Sequence, residues 1–118
     1  PKGNDKTISV KKLEMERALR RVSVFSREKT NAVHFNFSAG QLSFYAQSPE
    51  FGEAEDQIAA VYEGEKISTG FNSRYVLEAL SVIENDEIQI EMKDPLSPVM
   101  LKDPGDKKYL CVVMPMRI

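Results

Sequence analysis

The chain has 118 residues and a mass of 13.3 kDa, and 16 Lys plus Arg against 18 Asp plus Glu leave a formal charge of −2 at pH 7. That is one domain's worth of sequence, residues 1–118, and it is long enough to bury about two thirds of its unfolded surface without metals or disulfides. With 42% apolar and 29% charged residues, the composition excludes a charged disordered tail, a collagen-like repeat and a coiled coil of charged residues and Ala.

Thr7 to Val10 reads as a first extended piece. From Leu13 to Phe25 the rhythm changes: Leu13, Met15, Ala18, Leu19, Val22 and Phe25 follow one side and Lys12, Glu16, Arg17, Arg20 and Arg21 fall mostly elsewhere, as in an amphipathic helix. Val33 to Phe37 alternates with period two, Ala39-Gly40 supplies a turn, and Leu42 to Ala46 resumes the alternation, so a hairpin is expected. Glu53 to Tyr62 forms a further strand, with Glu53, Glu55 and Gln57 on a side facing water, and Gly64 ends it. Ile67 to Phe71 is extended, and Asn72 or Ser73 can cap a second helix over 74–83 with Val76, Leu77, Leu80 and Ile83 as its stripe. Glu87 to Lys93, Pro98 to Leu101 and Tyr109 to Met114 complete the strands.

The order strand, helix, three strands is thus written twice, without strong residue identity between the copies. The pattern predicts an α+β fold of two half-repeats, closed in two layers, with the two helices packed together on an antiparallel sheet face. The other face must be polar or find a partner.

Chemistry is scarce. No P-loop, dinucleotide Gly-rich turn, zinc spacing or nucleophile elbow occurs. His34 has no second His and reads as a structural or surface residue, and Cys111 between Leu110 and Val112 reads as a small packing residue. The lone Cys makes no internal disulfide and favours a reducing compartment. The longest nearly continuous apolar run, Tyr109 to Met116, is too short to span a membrane, so a cytoplasmic location is expected. The missing initiator Met suggests a processed chain or a piece of a longer one. The acid groups around Glu53 and Glu84 suit solvated faces better than convergent catalytic carboxylates. Arg17, Arg20 and Arg21 cluster on one helical face, which is either a solvated surface or a seat for duplex phosphates. At the C-terminus Met114, Pro115, Met116 and Ile118 continue apolar where chains are usually polar. Core or inter-domain packing and a Met-rich peptide-binding rim both account for that ending.

The ending Tyr109 to Ile118, YLCVVMPMRI, and the segment Gly70 to Leu80, GFNSRYVLEAL, closely resemble the C-terminal third of the bacterial DNA polymerase III beta subunit, the replication sliding clamp. Phe25 to Lys29, FSREK, and the acidic strand with Glu53-Ala54-Glu55 fit the same domain, and the resemblance runs from Pro1 to Ile118. It implies a noncatalytic accessory domain of a DNA polymerase holoenzyme, the third of three similar domains in each protomer of a head-to-tail homodimeric ring around duplex DNA. It implies neither cofactor nor metal. Arg17, Arg20 and Arg21 become candidates for the lining of the hole. The groove that takes linear motifs of polymerases, clamp loader and repair proteins is implied at Tyr75, Leu96, Pro98, Val112, Met114, Pro115, Met116 and Arg117. At Pro98 many relatives carry a small polar residue, so the chain departs from the pattern there. Val24 and Phe25 align with the ring interface; a plain role as helix-end core suits Val24 as well and Phe25 less. The alternative is an unrelated α+β protein-interaction module.

Overall fold

The computed structural model describes residues 5–26 and 31–116. Its elements are β1 (Lys6–Lys11), α1 (Lys12–Ser23) with a 3-10 turn at Val24–Ser26, β2 (Ala32–Ser38), β3 (Gln41–Ser48), β4 (Gly52–Ala59), β5 (Ile67–Asn72), α2 (Ser73–Val82), β6 (Glu87–Met92), β7 (Val99–Asp103) and β8 (Asp106–Val113). Both half-repeats are present. The strands divide, however, into two four-stranded antiparallel sheets, ordered β1-β6-β7-β8 and β4-β3-β2-β5. Each half therefore gives its first strand to the other: β1 pairs with β6 from Lys6 opposite Met92 to Lys11 opposite Glu87, and β5 pairs with β2 from Ile67 opposite Phe37 to Asn72 opposite Ala32.

The duplication is visible in individual hydrogen bonds. Lys12 opens α1 and donates its N–H to the carbonyl of Asp86, just before β6; Ser73 opens α2 and donates to Asn31, just before β2. Both bonds are 2.8 Å and each satisfies a helix-start donor that has no partner within its own helix. The free edges of the exchanged strands are stitched alike. Val61, past the end of β4, bridges Ser9 in β1, and Met116, past the end of β8, bridges Gly70 in β5.

Alternation dictates which residues meet inside. Val33, Phe35, Phe37, Leu42, Phe44, Ile67 and Phe71 line the inner face of one sheet, and Ile8, Val10, Ile88, Ile90, Met92, Val99 and Leu101 that of the other, all buried. Met15, Ala18, Leu19 and Val22 of α1 and Val76, Ala79 and Leu80 of α2 fill the space between. Leu13, which the periodicity assigns to the buried stripe, is exposed at the start of α1. Ala39-Gly40 makes the two-residue turn between β2 and β3, with Gly40 at φ 75° where a side chain would be strained. Among the described residues no helix is long and apolar enough to cross a membrane.

Candidate functional site

Three surfaces carry the residues singled out by sequence. The first lies where α2, the β6–β7 loop and the chain after β8 converge. Asn72 caps α2, its Oδ1 accepting from the N–H groups of Arg74 at 2.9 Å and Tyr75 at 3.3 Å, which sets Tyr75 on the first turn with its ring exposed. The β6–β7 loop is held by Asp94, whose Oδ1 accepts from the Leu96 N–H at 2.9 Å, while Thr69 donates its hydroxyl to the Pro95 carbonyl at 2.9 Å. Leu96 is thereby presented to solvent, 78% exposed, at the tip of an anchored loop.

On β8 the alternation sends Tyr109, Cys111 and Val113 inward and Leu110 and Val112 outward. Tyr109 donates its hydroxyl to the Ala79 carbonyl at 2.8 Å, pinning β8 to α2, and burial pushes its phenol pKa up. Met114 continues the outward series and is 64% exposed. Met116 turns back, donating its N–H to the Gly70 carbonyl at 2.7 Å. A depression of about 290 Å³ forms there, with Gly70, Thr69, Pro95, Leu96, Met116 and His34 around it. Leu96 and Met116 thus share one concavity, Tyr75, Val112 and Met114 are exposed, and Pro98 and Pro115 are half-buried. Arg117 lies outside the described residues.

The loop makes a testable claim about charge. The Ser97 hydroxyl, then the Leu96 N–H, hold the Asp94 carboxyl below the usual carboxylate range. A depressed carboxyl contributes order that is present above its ordinary pKa of 3.8 and lost as pH falls through its lower folded value. In an NMR pH titration the Leu96 amide is expected to move with a midpoint below 3.8, and Asp94→Ala to abolish that movement. A midpoint at or above the ordinary value would refute the loop's dependence on the carboxylate.

The second surface is the outer side of the helices. Arg17, Arg20 and Arg21 are all exposed, but they do not act as one cluster. Arg21 is committed to Asp56 on β4, with its Nε 2.7 Å from Oδ2. Arg20 instead lines a groove of about 750 Å³ between α1 and α2, with Ser23, Asn31, Ser81 and, from the second helix, Arg74 and Glu78. Arg74 was not singled out by sequence. Its signal was its place at the start of α2, the counterpart of the basic helix α1, and it reaches Glu78 at 3.9 Å.

The third surface is the open edge β4 and the nearby end of α1. Glu53, Glu55 and Gln57 are exposed as expected, and Glu53 accepts the Tyr45 hydroxyl at 2.7 Å, which raises that phenol's pKa. Val24 is 51% exposed, whereas Phe25 packs partly buried against the core. The expectation that Phe25 was the less suited of the two to a core role is reversed, because the 3-10 turn after α1 rotates Phe25 inward. Among the described residues no group of three His, Cys, Asp or Glu could hold a metal ion.

Comparison with known proteins accords with this geometry. A family model described as DNA polymerase III beta subunit, C-terminal domain, matches residues 1–117. The beta sliding clamp of Pseudomonas putida is 35% identical over 118 residues, covering all of this chain and 32% of that protein. The solved sliding clamp of Bartonella birtlesii superposes with a TM-score of 0.96 at 36% identity over the whole of this chain and 34% of its own, and that of Pseudomonas aeruginosa with 0.96 at 30% over 33% of its own. The chain spans about a third of the length of the relatives it matches.

Proposed function

Because the chain belongs to the family formed by the C-terminal domains of DNA polymerase III beta subunits, we propose that it serves as the third domain of a processivity clamp, a noncatalytic part of a ring around duplex DNA in the cytoplasm. Family membership sets aside the reading as an unrelated α+β interaction module. Two duties follow for this chain, one toward DNA and neighbouring domains and one toward linear motifs of replication proteins.

Toward DNA, Arg17, Arg20 and Arg74 would meet phosphates at the helical face. Such attraction is nearly the same at every base pair, so it permits sliding. Arg21, occupied by Asp56, contributes less. Toward its neighbours, the chain offers two open sheet edges of different character: β4 carries exposed Glu53 and Glu55, and β8 carries exposed Lys107 and Lys108 after Asp106. Edges that differ in charge suit a head-to-tail, heterologous assembly, and unpaired edges are templates for pairing. Val24, exposed at the same end as β4, would pack across the junction.

The observation that supports the motif-binding role is that Tyr75, Leu96, Val112 and Met114 are all exposed, with Leu96 sharing a concavity with Met116 and both held there by backbone hydrogen bonds. Leu96, Val112 and Met114 would cover apolar motif side chains, and Tyr75, Pro98, Pro115 and Met116 would form walls. Arg117 would offer charge-assisted bonds to the motif. The polymerase, clamp loader and repair proteins are the expected sources of such motifs. The test is a titration of a fluorescent Gln-Leu-x-Leu-Phe pentapeptide into the chain, with a scrambled peptide and Met114→Ala as controls. Saturable, sequence-dependent binding that weakens at least fivefold in the variant is expected. Equal binding of the scrambled peptide, or of the variant, would overturn the groove.

A further inference from the structure

The internal duplication builds a second cleft. At one seam, Met116 bridges Gly70 in β5, the strand that leads into α2, on whose first turn Tyr75 stands. The matching seam is formed by Val61 and Ser9, joined by hydrogen bonds of 2.8 and 3.2 Å. There Ala59 and Ala60 lead up to Val61, and Glu14 stands on the first turn of α1 where Tyr75 stands on α2. A depression of about 240 Å³ opens at this seam, lined by Ser9, Val10, Ala59, Ala60, Val61 and three charged residues, Lys11, Glu14 and Glu87.

Val10 and, in part, Ala60 belong to the core, but the rest of the apolar lining is left outside, Ala59 being exposed. Val61 is 74% exposed although its backbone is fixed on both sides by Ser9, and Leu13 is exposed beside Glu14. Its rim differs in charge from the first seam. Two of its three charged side chains are carboxylates, and among the described residues neither Glu14 nor Glu87 forms an ion pair. Such a rim repels phosphate, so nucleic acid is a poor occupant. It complements cationic side chains.

We infer that the β1–β4 seam is a second segment-binding site, which takes an extended peptide with one medium-sized aliphatic residue flanked by Lys or Arg. The aliphatic side chain covers Val61 and the two alanines, and the flanking cations face Glu14 and Glu87. Lys11 lies opposite Glu87 in the β1–β6 ladder, so it restricts one flank and favours the cation on the Glu14 side. The inference concerns a different seam from the motif groove and stands if that groove is lost.

The experiment uses the 118-residue chain labelled with nitrogen-15. Acetyl-Ala-Arg-Val-Lys-Ala-amide is titrated to millimolar concentration, with acetyl-Ala-Glu-Val-Glu-Ala-amide as the charge-reversed control. Saturable shifts are expected at Ser9 to Lys11, Glu14 and Ala59 to Val61, absent with the control. Glu14→Gln combined with Glu87→Gln, both at exposed positions, should weaken binding at least fivefold, and Met114→Ala should leave it unchanged. The inference is overturned if no saturable shift occurs, if both peptides shift the seam equally, or if the shifts gather at Tyr75 and Met116. It is also overturned if the same residues shift on concentrating the chain alone, which would make a second copy the occupant.

Discussion

Replacing Phe35 with Ala is expected to destabilise the chain by about 3–5 kcal/mol, a large fraction of the roughly 5–15 kcal/mol typical of a domain. Phe35 is buried at the centre of the β4-β3-β2-β5 sheet, where its ring meets Phe44 edge-on at 4.9 Å and 87° and Phe71 at 5.1 Å and 74°. It also lies 6.4 Å from Phe37. Truncation removes the member common to these pairs as well as its buried area, and rings carried on three different strands cannot all close on the void. Phe51→Ala, at an exposed ring in the β3–β4 turn, is expected to stay within about 0.5 kcal/mol of the parent. Urea unfolding of the three proteins measures both. A loss under about 1 kcal/mol for Phe35→Ala would mean that the strands collapse inward and that this cluster does not anchor the sheet.

Leu96→Asp should have the opposite profile, with motif affinity falling about 10–100-fold and stability unchanged. Covering a Leu side chain is worth about 1.5–3 kcal/mol, and each 1.4 kcal/mol is about a factor of ten in affinity. A carboxylate at the same point would also have to be desolvated against apolar motif side chains. The fold does not need the side chain, because Leu96 is held through its backbone N–H by Asp94 and is mostly exposed. Peptide titration and thermal unfolding on the same preparation separate the two effects. Unchanged affinity would remove Leu96 from the groove, and a fall in stability that parallels the fall in affinity would mean that the loop had been packing.

The elements and their buried faces were legible because they rest on local periodicity. The runs Val33 to Phe37 and Glu87 to Met92 alternate, the stripe Val76, Leu80 repeats, and Asn72 caps where a cap was expected. The exchange of β1 and β5 was not legible. Antiparallel register depends on which faces must be covered together, and Ile8 and Val10 would suit either sheet. The arginine face was half legible. Helical spacing brought Arg17, Arg20 and Arg21 together, but Asp56, which holds Arg21, comes from a strand far along the chain, and Arg74 joins Arg20 only through helix packing. For the proposed motif surface, the apolar ending at Met114 to Ile118 left core packing and a peptide-binding rim both open, and Tyr75, Leu96 and Pro98 were added only through resemblance. Its physical mark, apolar side chains left outside on a backbone tied down by Asp94, Thr69 and Gly70, exists only in three dimensions.

The exchange of first strands also sets a timetable for synthesis. β1 is made before the rest of its sheet, yet its ladder partner β6 begins only at Glu87. At roughly 5–20 residues per second that is a delay on the order of ten seconds. Meanwhile β2, β3 and β4 can zip as neighbours, but their sheet stays open on the β2 side until β5 emerges. Throughout the interval Ile8 and Val10 lack the ladder that β6 supplies, so a nascent chain stalled between the copies would offer these residues to chaperones or to other chains. The emergence of β5, which ends at Asn72, closes that sheet, and the other closes only when β6, β7 and β8 have followed, so synthesis from Glu87 to Val113 is the step that commits the domain to its fold.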